Sequence, residues 1–160
     1  MVKESNKQQV SEGKEEPRVD FSEQAEALNT YSTAQLLQTI FAQDKWLTAK
    51  EVSERAGYAG INPSSQPSKW KRSGKVFALT CQGKSRFPSY AFGDDGKPVK
   101  ALSEIIRIFR DAGRSDISLA LWFISINSWL SGYTAKSMLK KYPDAVIGAA
   151  HKEVLGSGHG

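Results

Sequence analysis

The chain has 160 residues, 39 % of them hydrophobic and 24 % charged, with a formal net charge of +5 at pH 7. That length holds one domain or two very small ones with tails, and the composition is that of a water-soluble globular protein. A single cysteine, Cys81, excludes an intramolecular disulfide, and no window approaches the roughly 20 apolar residues a membrane-spanning helix needs.

The charge is concentrated. From Arg55 to Gly93 there are seven cations (Arg55, Lys69, Lys71, Arg72, Lys75, Lys84, Arg86) and no Asp or Glu, so that stretch carries +7 and the rest of the chain −2. A local basic segment free of acid suits a polyanionic partner. The lone thiol fits a reducing compartment, and the first 20 residues have no apolar core of the signal-peptide kind, so the expected location is the cytoplasm. Cys81 itself reads as a small hydrophobe on a strand.

In chain order, residues 1–20 are polar and mixed in charge, and are expected to form a disordered arm. Residues 21–98 are expected to form a winged helix-turn-helix-like unit. Leu36, Leu37, Ile40 and Phe41 recur at helical spacing, which predicts a helix over at least 33–43. In "LTAKEVSERAGY", Thr48 and Glu51 stand at capping-box spacing, and Gly57 stands where a helix ends in a left-handed residue. The small residues Ala49, Ser53 and Ala56 allow a second helix to cross closely. "AGINPSSQPS" then lengthens the turn. Pro67 lacks an amide and belongs in a first helical turn, capped by Ser65 or Gln66, giving a recognition helix from about Pro67 to Ser73. The competing reading of the two prolines is a plain loop. "KVFALTC" (75–81) and "SRFPSYAF" (85–92) flank "QGK" as a hairpin, with Pro88 putting the second strand at an edge or a bulge. "GDDGKP" (93–98) is the closing turn, set by Asp94 and Asp95.

Residues 99–155 are expected to form a helical domain, and 156–160 ("GSGHG") a flexible tail. Leu102, Ile105, Ile106 and Phe109 describe an amphipathic helix ending near Gly113. Ser115 caps "DISLALWFISINSWL", whose apolar residues cover nearly the whole circumference, the pattern of a helix buried all round or held between its own core and a partner. Short helices at about 134–141 and 143–154 follow. The expected class is therefore α+β, mostly α.

Catalytic signals are poor. His151 and His159 have no cysteine or carboxylate at ligand spacing, "AGYAG" is not a phosphate loop, and Cys81 has no base nearby in sequence. No enzyme activity, cofactor or metal is expected. The basic segment carries the functional reading: Lys69, Lys71, Arg72, Lys75, Lys84 and Arg86 would meet phosphates of double-stranded DNA, and the short polar residues Asn62, Ser64, Ser65 and Gln66 would lie nearest the bases. The alternative is that the cations are a solvated face. Trp70, among them, is expected to pack inward between helix and wing. Trp122, Phe123, Ile126, Asn127, Trp129 and Leu130 are the candidates for a protein-partner surface, burial within the helical half or a homodimer being the alternative.

Four stretches together, "LTAKEVSERAGY", "WKRSGKVFAL", "RFPSYAFGDDGKPVKALSEIIRIF" and "WFISINSWLSGYTAKSMLKKYPDAVIGAA", resemble bacterial Xre/MbcA/ParS-type antitoxins over about residues 45–152. Trp122, Asn127, Leu130, Gly132 and Thr134 stand at the family's positions, while Ser128 and Ala135 replace prolines common there. The resemblance implies a DNA-binding autoregulator whose C-terminal half engages a cognate toxin, often one that consumes NAD. A two-fold dimer is expected because a short recognition helix binds weakly alone. The reading from the other class is a protein-interaction module or homodimer with no nucleic-acid role.

Overall fold

The computed structural model describes residues 21–58, 60 and 62–157, so the expected arm, residues 1–20, lies outside the described residues. The chain divides between Gln35 and Leu36 into two units, and Leu36–Gly160 carries the core and every feature described below. Its elements follow the last turns of α1 (Phe21–Gln43). They are β1 (Trp46–Leu47), α2 (Ala49–Arg55), α3 (Ser65–Arg72), β2 (Leu79–Cys81), β3 (Lys84–Pro88), α4 (Lys100–Asp111), α5 (Asp116–Ile124), α6 (Ala135–Met138) and α7 (Pro143–Ser157). The class is α+β and mostly helical, with a helix-turn-helix, a hairpin wing and a helical C-terminal part. Among the described residues no helix is long and apolar enough to cross a membrane.

The sheet corrects one expectation. Its order is β1-β3-β2, all antiparallel, so the strand ending in Pro88 is the central one. Pro88 is tolerated because it stands at the very end of β3, opposite Trp46, after which the Ser89 amide donates to the Lys45 carbonyl at 3.0 Å and a 3-10 turn, Ser89–Ala91, begins. The first hairpin strand is also shorter than 75–81: only Leu79–Cys81 pairs, while Val76 and Phe77 enter the core ahead of it.

One core crosses the expected boundary at residues 98–99. Phe77 stacks on Phe123 with centroids 6.1 Å apart and Tyr90 lies 5.1 Å from Phe123, while Phe109 and Trp122, 5.2 Å apart, extend the same cluster within the helical part. The amphipathic face of α4 (Leu102, Ile105, Ile106, Phe109) closes on the same cluster. The winged part and the helical part therefore share their interior and belong to one unit rather than two.

The long helix expected over 116–130 stops at Ile124. Ser125 is extended (φ −88, ψ 148), and Ile126 bridges Thr134. Asn127 then organises a loop: its side chain accepts from the Trp129 amide at 2.9 Å, and its own amide donates to the Tyr133 carbonyl at 3.1 Å. Hydrogen bonds between residues six apart in a loop leave no trace in hydrophobic periodicity. Of the expected tail, 156–160, Gly156 and Ser157 are instead the last residues of α7, and 158–160 lie outside the described residues. A helix already docked by Val146, Ala149 and Ala150 needs only propagation, and one glycine costs it about 1 kcal/mol.

Tyr90 gives this core a pH signature. It is buried, its hydroxyl has no hydrogen-bond partner among the described residues, and burial, with the Asp44 carboxylate adding, pushes its phenol well above the usual range. A phenol raised on folding contributes stability that is complete below its unfolded value of about 10 and is lost as pH rises beyond it. Tyr90→Phe removes both the ionisable group and an unpartnered hydroxyl. Its stability at neutral pH should be unchanged or higher by up to about 1 kcal/mol. Urea midpoints on either side of that pH should fall less for the variant than for the wild type, and an equal fall in both proteins would contradict the assignment.

Candidate nucleic-acid interface

The helix-turn-helix is built by local signals. Thr48 Oγ1 accepts from the Glu51 amide at 3.1 Å and the Glu51 carboxylate accepts from the Thr48 amide at 2.9 Å, which starts α2 with the expected capping box. That backbone hydrogen bond, with Lys45 adding, holds the Glu51 carboxyl below the usual range. α2 ends where Gly57 adopts φ +80 and the Tyr58 amide donates back to the Ser53 carbonyl at 2.9 Å. The lengthened turn is tied down by Ser53, which is buried and donates its hydroxyl to the Pro63 carbonyl. Asn62 Oδ1 accepts from the Ser64 amide at 3.1 Å and turns the chain into α3.

The second helix expected here, α3, is present and starts two residues earlier than expected, at Ser65, with Ser64 as its N-cap and Pro67 inside the first turn. It ends at Gly74 (φ +75), where the Lys75 amide donates to the Trp70 carbonyl at 2.9 Å and the Gly74 amide to Lys71 at 3.2 Å. Pro67 and Trp70 are buried and fix the phase of the helix. Trp70 packs edge-on to Tyr58, with centroids 5.9 Å apart, and lies 6.3 Å from Phe92, so the tryptophan among the cations is a core anchor. At about 100° per residue, the stripe opposite Pro67 and Trp70 holds Ser65, Ser68, Lys69 and Arg72. Ser68 was absent from the sequence-based set, and phasing the helix on Pro67 and Trp70 would have found it. Gln66 is turned to one flank, half-buried, in a small cleft with Ser53, Asn62 and Ser65.

The wing turns through Gln82 (φ 52) and Gly83 (φ 77), between the paired residues Cys81 and Lys84. Cys81 lies half-buried on β2. Lys71 Nζ donates to Ser85 Oγ at 3.1 Å, which joins the flank of α3 to the hairpin. Strand alternation places Lys84 and Arg86 on the face opposite Ser85 and Phe87, with Lys84 exposed and Arg86 half-buried, its Nη1 donating to the Ser85 carbonyl at 3.3 Å. The candidate surface is thus a helix stripe (Ser65, Ser68, Lys69, Arg72) with Lys71 tied to the wing on one flank, while the wing's own cations point from its outer face. Lys75 stands just past the end of α3, exposed.

The partner candidates divide. Trp122, Phe123 and Leu130 are core residues, and Asn127 is a buried loop organiser. Ile126 and Trp129 are 80 % and 57 % exposed, and Tyr133 and Leu155, at 62 % and 66 %, add exposed apolar surface that helix-based reasoning could not assign. Lys152 Nζ lies 4.6 Å from the Trp129 ring centroid. Among the described residues no group of three or more His, Cys, Asp or Glu side chains is placed to hold a metal ion.

No family model matches the chain, and no curated protein matches it. Its fold is similar to that of Rv2175c. The likeness to the NMR structure of Rv2175c has a TM-score of 0.61 at 20 % identity and covers 70 % of this chain and 82 % of that one. At that identity the correspondence with Rv2175c is one of fold, and the side chains above carry the functional reading.

Proposed function

We propose that the protein binds double-stranded DNA as a transcriptional regulator, laying the outer stripe of α3 in the major groove with the β2–β3 wing beside it. What carries the reading is the conjunction of an acid-free basic segment with a helix seated rigidly by Trp70 and braced to the wing by Lys71. Lys69, Lys71 and Arg72, with Lys84 and Arg86 on the wing, neutralise phosphates, and each contact releases counterions and adds affinity without sequence information. Ser65 and Ser68, flanked by Asn62 and Gln66, are the side chains short enough to read base edges. An eight-residue helix binds weakly alone, so two copies on adjacent half-sites form the working unit.

The exposed Ile126, Trp129 and Tyr133 favour a second role, a surface for a protein partner. Aromatic side chains left in water on a fixed loop are typical binding anchors. A toxin is the partner that the resemblance to Xre/MbcA/ParS-type antitoxins implies, and the protein then acts as an antitoxin-like autoregulator. The DNA reading is tested by titrating the full chain with a random-sequence duplex over a salt series. It requires affinity that falls steeply and linearly on a log–log plot, and a flat or absent response leaves only the partner-binding reading.

A further inference from the structure

Next to the recognition helix is a cleft of about 540 Å³, lined by Tyr58, Trp70, Lys75, Lys97 and Lys100, with Asp95 and Ser103 at its edge. Lys75, Lys97 and Lys100 are all exposed, and none of them forms an ion pair with a described residue. Asp95 is the acid on this surface, and its Oδ1 is already engaged by the Lys97 amide at 2.9 Å. Three cations against one carboxylate leave a net positive cleft on aromatic walls.

The backbone beneath two of the lysines is tied down: the Lys75 amide donates to the Trp70 carbonyl at 2.9 Å, and the Lys97 carbonyl accepts from the Gly93 amide at 2.8 Å. The position is informative as well. Around α3, Lys71 projects on the flank that meets the wing, while Trp70, about 100° round the helix from it, lies on the buried face and lines this cleft on the side turned away from the wing. A helix in the major groove has a phosphate backbone on each side. The wing flank has its cation in Lys71; the side away from the wing has Lys75, Lys97 and Lys100.

We infer that Lys75, Lys97 and Lys100 form a second phosphate site, taking a DNA-backbone phosphate on the side of the recognition helix away from the wing. The inference rests on the DNA-binding reading and extends it to residues beyond the acid-free segment, from which Asp94 and Asp95 separate Lys97 and Lys100 in sequence. Because the cleft is open and continuous with α3, its phosphate belongs to the duplex and not to a free anion.

The test uses the full chain carrying Lys97→Gln and Lys100→Gln, both exposed positions, with Lys97→Arg/Lys100→Arg as the charge-retaining control. Against a random-sequence duplex the Gln variant should bind roughly tenfold more weakly at 0.1 M salt, with a log–log slope shallower by about 1, and the Arg variant should match the wild type. A steep wild-type slope that the Gln variant reproduces overturns this site and leaves the α3 reading intact, whereas a wild type with no salt-dependent binding overturns both. The Lys97 and Lys100 amide resonances should move on addition of duplex and stay in place with inorganic phosphate at matched ionic strength. Equal movement with inorganic phosphate overturns the assignment to DNA.

Discussion

Replacing Lys71 and Arg72 with alanine weakens binding to every duplex sequence alike, with the log–log salt slope shallower by about 2. Both side chains are exposed on the C-terminal turn of α3, which Trp70 and Pro67 hold from the other side, so the substitutions leave the helix seated. Each removed phosphate contact takes about 0.9 from the slope, and two together cost roughly one to two orders of magnitude in affinity at moderate salt. Lys71 has an additional role because its Nζ donates to Ser85 Oγ at 3.1 Å. Ser85→Ala alone, which loosens the wing without removing a charge, should therefore lower affinity slightly at an unchanged slope. A double alanine variant with the wild-type slope would remove α3 from the interface.

Gly96→Ala is the substitution expected to damage the fold most. Gly96 is buried with φ +77, and a Cβ there would sit 2.7 Å from the Ala56 amide nitrogen and closer still to the Arg55 carbonyl, at the C-terminus of α2. Neither partner is a side chain that can swing away. The closing turn or the end of α2 has to shift, and left-handed strain adds to that, for a cost of about 2–4 kcal/mol. The melting temperature should fall by roughly 5–15 °C. Gly57→Ala is the control: its φ is +80, but nothing lies within 4 Å of the added methyl, so it carries only the strain of about 1–2 kcal/mol. Equal melting temperatures for the two variants would show that the 93–98 turn does not press on α2.

Much of the local structure was legible because its signals are local. The caps at Thr48, Ser115 and Thr134 accept from the amides three residues on, at 3.1, 3.1 and 3.3 Å, as their spacing implied. Gly57, Gly74 and Gly113 end helices in the left-handed conformation. Trp70 packs inward, and the Gln82–Gly83 turn closes the wing. What was not legible depends on partners distant in sequence. Two residues, Trp46 and Leu47, make β3 a central strand, and no periodicity can show in a strand that short. The apolar run after Ser115 looked like one helix because Ile126 and Trp129 are as hydrophobic as the buried Trp122 and Phe123 beside them. The stack of Phe77 on Phe123, which merges the two expected domains into one core, joins residues 46 positions apart.

For the interface the balance is similar. The absence of acid from Arg55 to Gly93 marked the segment, and the helix phase then sorted its residues. Ser68 needed the positions of Pro67 and Trp70, and Lys97 and Lys100 needed the fold. Of the partner-surface candidates, Ile126 and Trp129 stand out in water, whereas Trp122, Phe123 and Leu130 are core residues and Asn127 organises the loop.

The central claim is that this protein meets DNA with the stripe of α3 and the cations beside it. The most direct measurement is lysine-selective acetylation of the full chain, with and without a duplex, read residue by residue by mass spectrometry. The account predicts protection of Lys69, Lys71, Lys75 and Lys84, with Lys140 and Lys152 on the helical part reacting equally in both samples. Uniform reactivity across α3 and the wing, or protection confined to the helical part, would contradict it.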